Sequence, residues 1–269
     1  MKIFFDKKKL AKNTSFEKNL GFVPTMGNLH YGHISLIKKS ISQCNRTIVT
    51  IFINKQQFNR KSDYTNYPRT INKDVSILKK LNVDYLYIPK HNQIYPHGYN
   101  KKIKIHSFSK KLCGKYRPGH FEAVVDVIDR FINIIKPNKI YLGKKDLQQL
   151  KIVQNFVSRK YKKIKVIGLQ TVREKNGIPF SSRNNLLSKK QKAIASQIYK
   201  ILLKNKINLI TNKVKIKSIK KNIFELGVRK MDYLKLIDIN KITKSFDNKK
   251  KYKIFIAYYL GSTRLIDNI

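Results

Sequence analysis

The segment Phe22-Val-Pro-Thr-Met-Gly-Asn-Leu-His-Tyr-Gly-His33 decides how this chain is read. Its first residues are apolar and strand-like, a glycine-containing turn follows, and a helical pattern begins at Ile34. A strand that turns directly into a helix presents unpaired N–H groups and the positive end of the helix dipole, a ready site for phosphate oxygens. His30 and His33 fall at that place, and their imidazoles add donors that can follow a phosphoryl group as it reacts. Taken alone, a His-x-x-His pair also reads as a solvated surface pair or as half of a metal site. The rest of the chain has to decide.

Outward from this segment, apolar runs of strand length alternate with helical patterns. Leu20 to Pro24, Thr47 to Ile53, Tyr85 to Ile88, Ile140 to Leu142 and Val166 to Leu169 read as buried strands, continuous in the way of parallel strands covered on both faces. Ile34 to Ser42, Asn72 to Leu81, His120 to Ile135 and Leu147 to Lys160 read as helices. In the third, Phe121, Val124, Val125, Ile128, Phe131, Ile132 and Ile135 form an i, i+3, i+4 stripe that stops at Lys136-Pro137. The alternation predicts an α/β fold, a Rossmann-like doubly wound parallel sheet whose ligands lie beyond the carboxyl ends of the strands. His30, Asn54 and Lys145 all follow such ends. Past Val172 the texture changes to helices over Ser188 to Lys204 and Val214 to Leu226, then strand-like pieces at Tyr233 to Ile237 and Tyr252 to Leu260, a small α+β unit. The expected division is a catalytic domain over 1–171 and a smaller C-terminal lid domain over 172–269.

The chain carries 59 Lys and Arg against 15 Asp and Glu, a net charge of +44. Read by itself, that balance points to nucleic acid, an anionic membrane surface or an acidic partner. The basic residues are mostly lysine and are scattered, in a chain also rich in Asn and Ile. AT-rich codons encode all three, so a coding bias accounts for the pattern as well as selection for a polyanion does. Its physical consequences are attraction of small anions and self-repulsion at low salt. Cys44 and Cys113 form no CxxC and no metal-ligand spacing, which suits a reducing compartment. The first residues hold too short an apolar run for a signal peptide, and nowhere do about 18 apolar residues run together. A soluble cytoplasmic protein is expected, with no membrane partner and no specific nucleic acid.

Several segments together resemble the pantothenate synthetases, the pantoate:β-alanine ligases, with an ATP site of the HxGH nucleotidyltransferase kind. They are Pro24 to His33, Ile51-Phe-Ile-Asn-Lys-Gln-Gln-Phe58, Tyr67-Pro-Arg-Thr70, Arg117-Pro-Gly-His-Phe121, Gly143-Lys-Lys-Asp-Leu-Gln-Gln-Leu150, Val172-Arg-Glu174, Ser181-Ser-Arg-Asn184 and Thr263-Arg-Leu-Ile-Asp-Asn268. They follow one another in the family's order and spacing over essentially the whole chain.

The resemblance implies an enzyme that activates pantoate with ATP, releases pyrophosphate to give pantoyl adenylate, and lets β-alanine attack the acyl carbon to give pantothenate and AMP. Both steps move charge on phosphate or carboxylate oxygens, so fixed cations and N–H donors are the useful groups. It implies an ATP site formed by Met26, Gly27, Asn28, Leu29, His30, Tyr31, Gly32 and His33, then Gly143, Lys144, Lys145 and Asp146, then Val172, Phe180, Ser181, Ser182 and Arg183. His30, His33 and Lys145 are the catalytic candidates, with His33 as proton donor. Asp146 is the candidate for a ribose hydroxyl, or else a helix N-cap. Gln57 and Gln149 are placed at pantoate, and Gln57 at β-alanine too. Asp74 is the candidate to help hold magnesium, which needs only one protein carboxylate. A homodimer is implied as well. Arg117 and His120 stay outside the core site.

The chain departs from the family pattern in places. Lys55 stands where a proline is usual, which predicts a less rigid Gln57 loop. Lys144 replaces Glu or Gln, Phe180 replaces a methionine near adenine, and Ala123, Asp126 and Arg130 replace Gly, Thr and Lys. None of these removes a named chemical group. Two rivals remain, an HxGH module acting on tRNA and a nucleotidyltransferase that stops at the nucleotidyl product. The first lacks a KMSKS-like loop, and the paired glutamines and the closing TRLIDN argue against the second.

Overall fold

A computed structural model describes residues 1–100, 102–240 and 251–269. The described chain divides into two compact units, one of 1–144 and 148–170, the other of 145–147 and 171–269.

In the first unit β1 (Lys2–Phe4), α1 (Lys7–Thr14), β2 (Leu20–Thr25), α2 (Tyr31–Gln43), β3 (Arg46–Ile51), α3 (Lys61–Thr65), α4 (Ile71–Lys80), β4 (Tyr85–Tyr87), α5 (His91–Ile94), α6 (Cys113–Tyr116), α7 (His120–Ile135), β5 (Lys139–Gly143), most of α8 (Leu147–Lys160) and β6 (Lys165–Leu169) follow in order. The six strands form one parallel sheet in the order β1-β4-β3-β2-β5-β6. After β2 the chain builds outward through β3 and β4, then crosses back to lay β5 on the other side of β2. The switch point therefore lies between the ends of β2 and β5, where such sheets open a ligand crevice.

Pro24 marks that opening. The Thr25 carbonyl accepts Phe52 N–H from the β3 side, so the neighbouring Pro24 nitrogen faces β5. The β2–β5 register covers only Gly21 and Phe22 against Lys139 and Ile140. A proline two residues further on removes a donor that the ladder no longer uses.

The stripe of α7 is buried from Phe121 to Ile135, and the helix stops where Lys136 turns left-handed at φ 53° ahead of Pro137. Val23, Ile37, Val49, Leu78, Leu86 and Tyr141 pack the other sheet face. Central β2 and β3 are buried as the sequence predicts. Val166 to Leu169 are only half-buried, because β6 is an edge strand. β1 and α1 escape the periodicity reading: β1 has three residues, and α1 is lysine-rich and is started by Asp6, whose Oδ1 accepts from Lys8 and Lys9 N–H at 2.9 Å each.

In the second unit α9 (Lys189–Ile210) and α10 (Ile216–Glu225) pack on an antiparallel sheet of β7 (Lys230–Asp238), β8 (Tyr252–Leu260) and β9 (Thr263–Asn268). Ile198, Leu202, Ile219, Ile223, Ile254 and Ile256 fill its core. Ser188 and Gln191 form a capping box that starts α9. Among the described residues no helix is long and apolar enough to cross a membrane.

Candidate active site

The turn after β2 is held from inside. Gly27 and Asn28 both take positive φ, 79° and 50°. Gly27 N–H donates to Thr25 Oγ1 at 3.1 Å, Asn28 N–H to Asp74 Oδ2 at 2.9 Å, and Leu29 N–H to Asp74 Oδ1 at 2.8 Å. His30 then acts as N-cap of α2, its Nδ1 accepting from Gly32 N–H at 3.2 Å. His33 Nδ1 accepts in turn from His30 N–H at 3.4 Å. A ring nitrogen that accepts from an amide carries no proton, so the neutral rings hold theirs on Nε2. The rings stack with centroids 4.0 Å apart and 28° between planes, which presents two donors of one kind side by side. The Asn28 side-chain Nδ2 is buried with no partner among the described residues.

This geometry corrects two expectations. The amides of Asn28 and Leu29 are tied to a carboxylate, so the imidazoles rather than these amides are the donors the turn offers a phosphate. Asp74 does not fit a magnesium ligand: it is 1% exposed and accepts two backbone N–H groups, with the Thr70 hydroxyl donating at 3.1 Å as well. A hydrated ion has no access to it. Among the described residues no three His, Cys, Asp or Glu side chains cluster to hold a metal.

Past β3, a short 3-10 turn carries Lys55 to Gln57. Asn54, 1% exposed, donates to the Ala123 carbonyl at 3.1 Å and accepts from Tyr95 OH at 3.1 Å. Burial pushes the Tyr95 phenol up, which keeps it a donor. The Gln57 carbonyl accepts from Arg117 at 2.9 Å and from His120 Nδ1 at 2.9 Å, while Arg117 donates to His120 Nε2 at 3.0 Å. An arginine can only donate, so Nε2 accepts and the His120 proton is on Nδ1. Arg117 and His120, left outside the site by sequence reasoning, thus hold the Gln57 backbone. The loop that Lys55 was expected to loosen is restrained from α7 and its approach. On α8 the two neighbouring glutamines differ: Gln148 is buried and bonds Phe108 O, Lys111 O and Cys113 N–H, whereas Gln149 is half-exposed. The side-chain amides of Gln57 and Gln149 have no protein partner among the described residues. Gly143 closes β5, and Lys144 begins the next turn.

The second unit holds the remaining candidates. The Lys145 ammonium lies 3.3 Å from Asp146 Oδ1, and its carbonyl accepts from the buried Asn268 Nδ2 at 2.6 Å. Asn268 belongs to the closing TRLIDN segment, whose Asp267 receives Arg173 through two bonds of 2.7 and 2.9 Å. Val172 and Phe180 face each other across a hairpin, Phe180 N–H donating to Val172 O at 3.1 Å, with Gly177 at φ 89° near its tip. Asn184 braces the following turn by donating to Glu174 Oε1 at 2.8 Å and to Pro179 O at 3.0 Å. Ser181 N-caps that turn by accepting Arg183 N–H at 3.3 Å, and Ser182 begins it. A cleft within this unit is lined by Lys145, Ser181, Arg183, Tyr258, Arg264 and Asp267. Burial, then the nearby Asp267, pushes the Tyr258 phenol up, so it stays neutral. Lysine and arginine side chains beside hydroxyls suit an anion. Asn268 and Glu174 had no local signal as side-chain clamps, although both stand within segments quoted above.

Comparison with known proteins identifies the family. A relative from Sulfurihydrogenibium sp. (strain YO3AOP1) called pantothenate synthetase is 39% identical over 257 residues, 94% of this chain and 92% of its own length. One from Buchnera aphidicola subsp. Acyrthosiphon pisum (strain 5A), with the same name, is 40% identical over 276 residues, 100% of this chain and 95% of its own. The crystal structure of a Francisella tularensis pantoate-beta-alanine ligase complexed with beta-gamma ATP and beta-alanine superposes with a TM-score of 0.87 at 36% identity, over 100% of this chain and 97% of that one. A pantothenate synthetase structure from Thermus thermophilus gives 0.89 at 29% identity, over 100% and 99%. The family model described as Pantoate-beta-alanine ligase matches residues 3–269, and the chain belongs to that family.

Proposed function

We propose that the turn after β2 and the cleft of the second unit serve the two steps of an ATP-dependent condensation of pantoate with β-alanine, through pantoyl adenylate. The protein is a ligase of that specificity. The capped, stacked pair His30 and His33 at the sheet's switch point carries the assignment of residues. Their Nε2–H groups bind the phosphates as pyrophosphate leaves, with His33 the proton donor. Lys145 neutralises charge at the α-phosphate, Asp146 takes a ribose hydroxyl, and Ser181, Ser182 and Arg183 close on the phosphates. Gln57 and Gln149 turn their unpartnered amides to the hydroxyls and carboxylate of pantoate, and Gln57 also meets β-alanine. Closure of the second unit as a lid shields the adenylate from water. Magnesium enters with ATP on phosphate and water ligands. The protein works in the cytoplasm as a homodimer.

Incubation with ATP, magnesium and pantoate, with and without β-alanine, tests this reading. Pantothenate and AMP form only when all substrates are present. ADP and phosphate as products refute the adenylate route.

A further inference from the structure

We infer that Asp74 is a positioning residue, an internal anion seated in the turn after β2 that fixes the loop carrying His30 and His33. This rests on the function just proposed for those histidines.

Consecutive N–H groups in a tight turn can aim at one point and form a small anion-binding concavity. Gly27 and Asn28 build such a concavity, and the protein fills it with its own carboxylate, one oxygen to each amide. The fit is close: a Cβ on Gly27 would stand 3.1 Å from Asp74 Oδ2 and 3.2 Å from Ile51 Cγ2, besides adopting a φ that side chains resist. Thr70, the N-cap residue of α4, donates to the same Oδ2 and sets the carboxylate on its own helix. The brace therefore runs from α4 to the loop, and the loop's next residue is the N-cap of α2. Donors fixed before substrate arrives need not reorganise as charge develops, which is where a preorganised site gains its rate. Asn28, one of the two residues held, also keeps a buried Nδ2 with no partner among the described residues. The brace places that donor as well.

Amide hydrogen exchange on the nucleotide-free wild-type protein gives the first test. Asn28 and Leu29 N–H should exchange at least about 100-fold more slowly than in an open chain, and exchange at open-chain rates overturns the inference. Asp74→Asn leaves one acceptor oxygen where two stood. It should lower kcat by about 10- to 100-fold, the cost of a small misplacement, and speed exchange at both amides. KM for pantoate and the magnesium concentration for half-maximal rate should stay within about twofold. A magnesium requirement raised about tenfold or more, with the rate restored by excess metal, would make Asp74 a metal ligand and overturn the inference. If Asp74→Asn does not accumulate folded, Thr70→Val removes only the hydroxyl, and the same pattern at smaller size is expected; unchanged exchange, or a shifted magnesium requirement, overturns it. The exchange measurements need no turnover, so failure of the ligase reading would show separately.

Discussion

His30 and His33 each commit Nδ1 to the backbone and leave Nε2 for the proposed phosphate role, so in that role helix start and chemistry share the same two rings. That sharing separates two substitutions otherwise expected to look alike. His33→Ala should lose about 2–4 kcal/mol of transition-state stabilisation, and about 1 kcal/mol of folding stability with its cap. Lys145→Ala should show the same kinetic loss with a smaller drop in melting temperature, since its ammonium pairs with the half-exposed Asp146 and caps no helix. Single-turnover adenylate formation and thermal melts on both variants check this, and near-wild-type turnover in either removes its assigned role. Gln57→Ala should weaken pantoate while leaving ATP binding nearly intact, as calorimetric titration with each ligand would report. Equal loss of both would put the glutamine in the wrong half of the site. The histidines were legible because a motif keeps them within three residues of each other. Asp74 and His120 were visible as residues but not as braces, because their partners lie 46 and 63 residues away and are chosen by tertiary packing.

At the scale of elements, the Gln57 loop shows how a missing local restraint is replaced by distant ones. Asn54 is extended at φ −79° and ψ 101°, a conformation compatible with proline at the next position. Lys55→Pro is therefore sterically acceptable, but Arg117, His120 and Tyr95 already hold the loop. We expect a change in pantoate kcat/KM below about 1 kcal/mol, the scale of a compatible proline; a larger gain would mean the wild-type loop is loose despite those bonds. Two further departures explain each other: Arg130 pairs with Asp126 at 2.9 Å, one helical turn away, and also bonds Ile94 O and Gly98 O. Both ends of α7 could be read in advance, because a long stripe ends against a proline. β9 could have been read from Gly261-Ser262 between two apolar runs, a hairpin signal that the motif reading of TRLIDN obscured.

For the whole molecule, the charge of +44 should appear as weak, sequence-insensitive RNA binding that falls steeply between low and physiological salt, as counterion release requires. Tight, selective binding at physiological salt would revive the nucleic-acid reading. Buried tyrosines set the alkaline limit: burial, then the bond to Glu17, pushes Tyr85 up to about 12, and burial drives Tyr87, Tyr95 and Tyr141 up as well. A phenol whose folded value lies above its unfolded one contributes stability that is complete below about pH 10 and is lost as pH rises through the folded value. Melting temperature should therefore fall above about pH 10 together with a rise in tyrosinate absorbance, undisturbed by tryptophan, which the chain lacks. A melting temperature flat through that range would contradict the burial. The parallel sheet was legible at this scale apart from β1 and the order of its strands, and the membership of Lys145 was not, because sequence texture changes only near Val172. Residues 145–147 belong with 171–269 although they stand between two stretches of the first unit, so the chain passes from one unit to the other at 144/145, 147/148 and 170/171. A single cut at 170/171 leaves 145–147 with the first unit and takes them from the unit they belong to. A gene crossover near codon 171 would part Lys145 from the Asn268 that holds its carbonyl, so a hybrid made there keeps this bond only where the incoming half brings an amide to the same place.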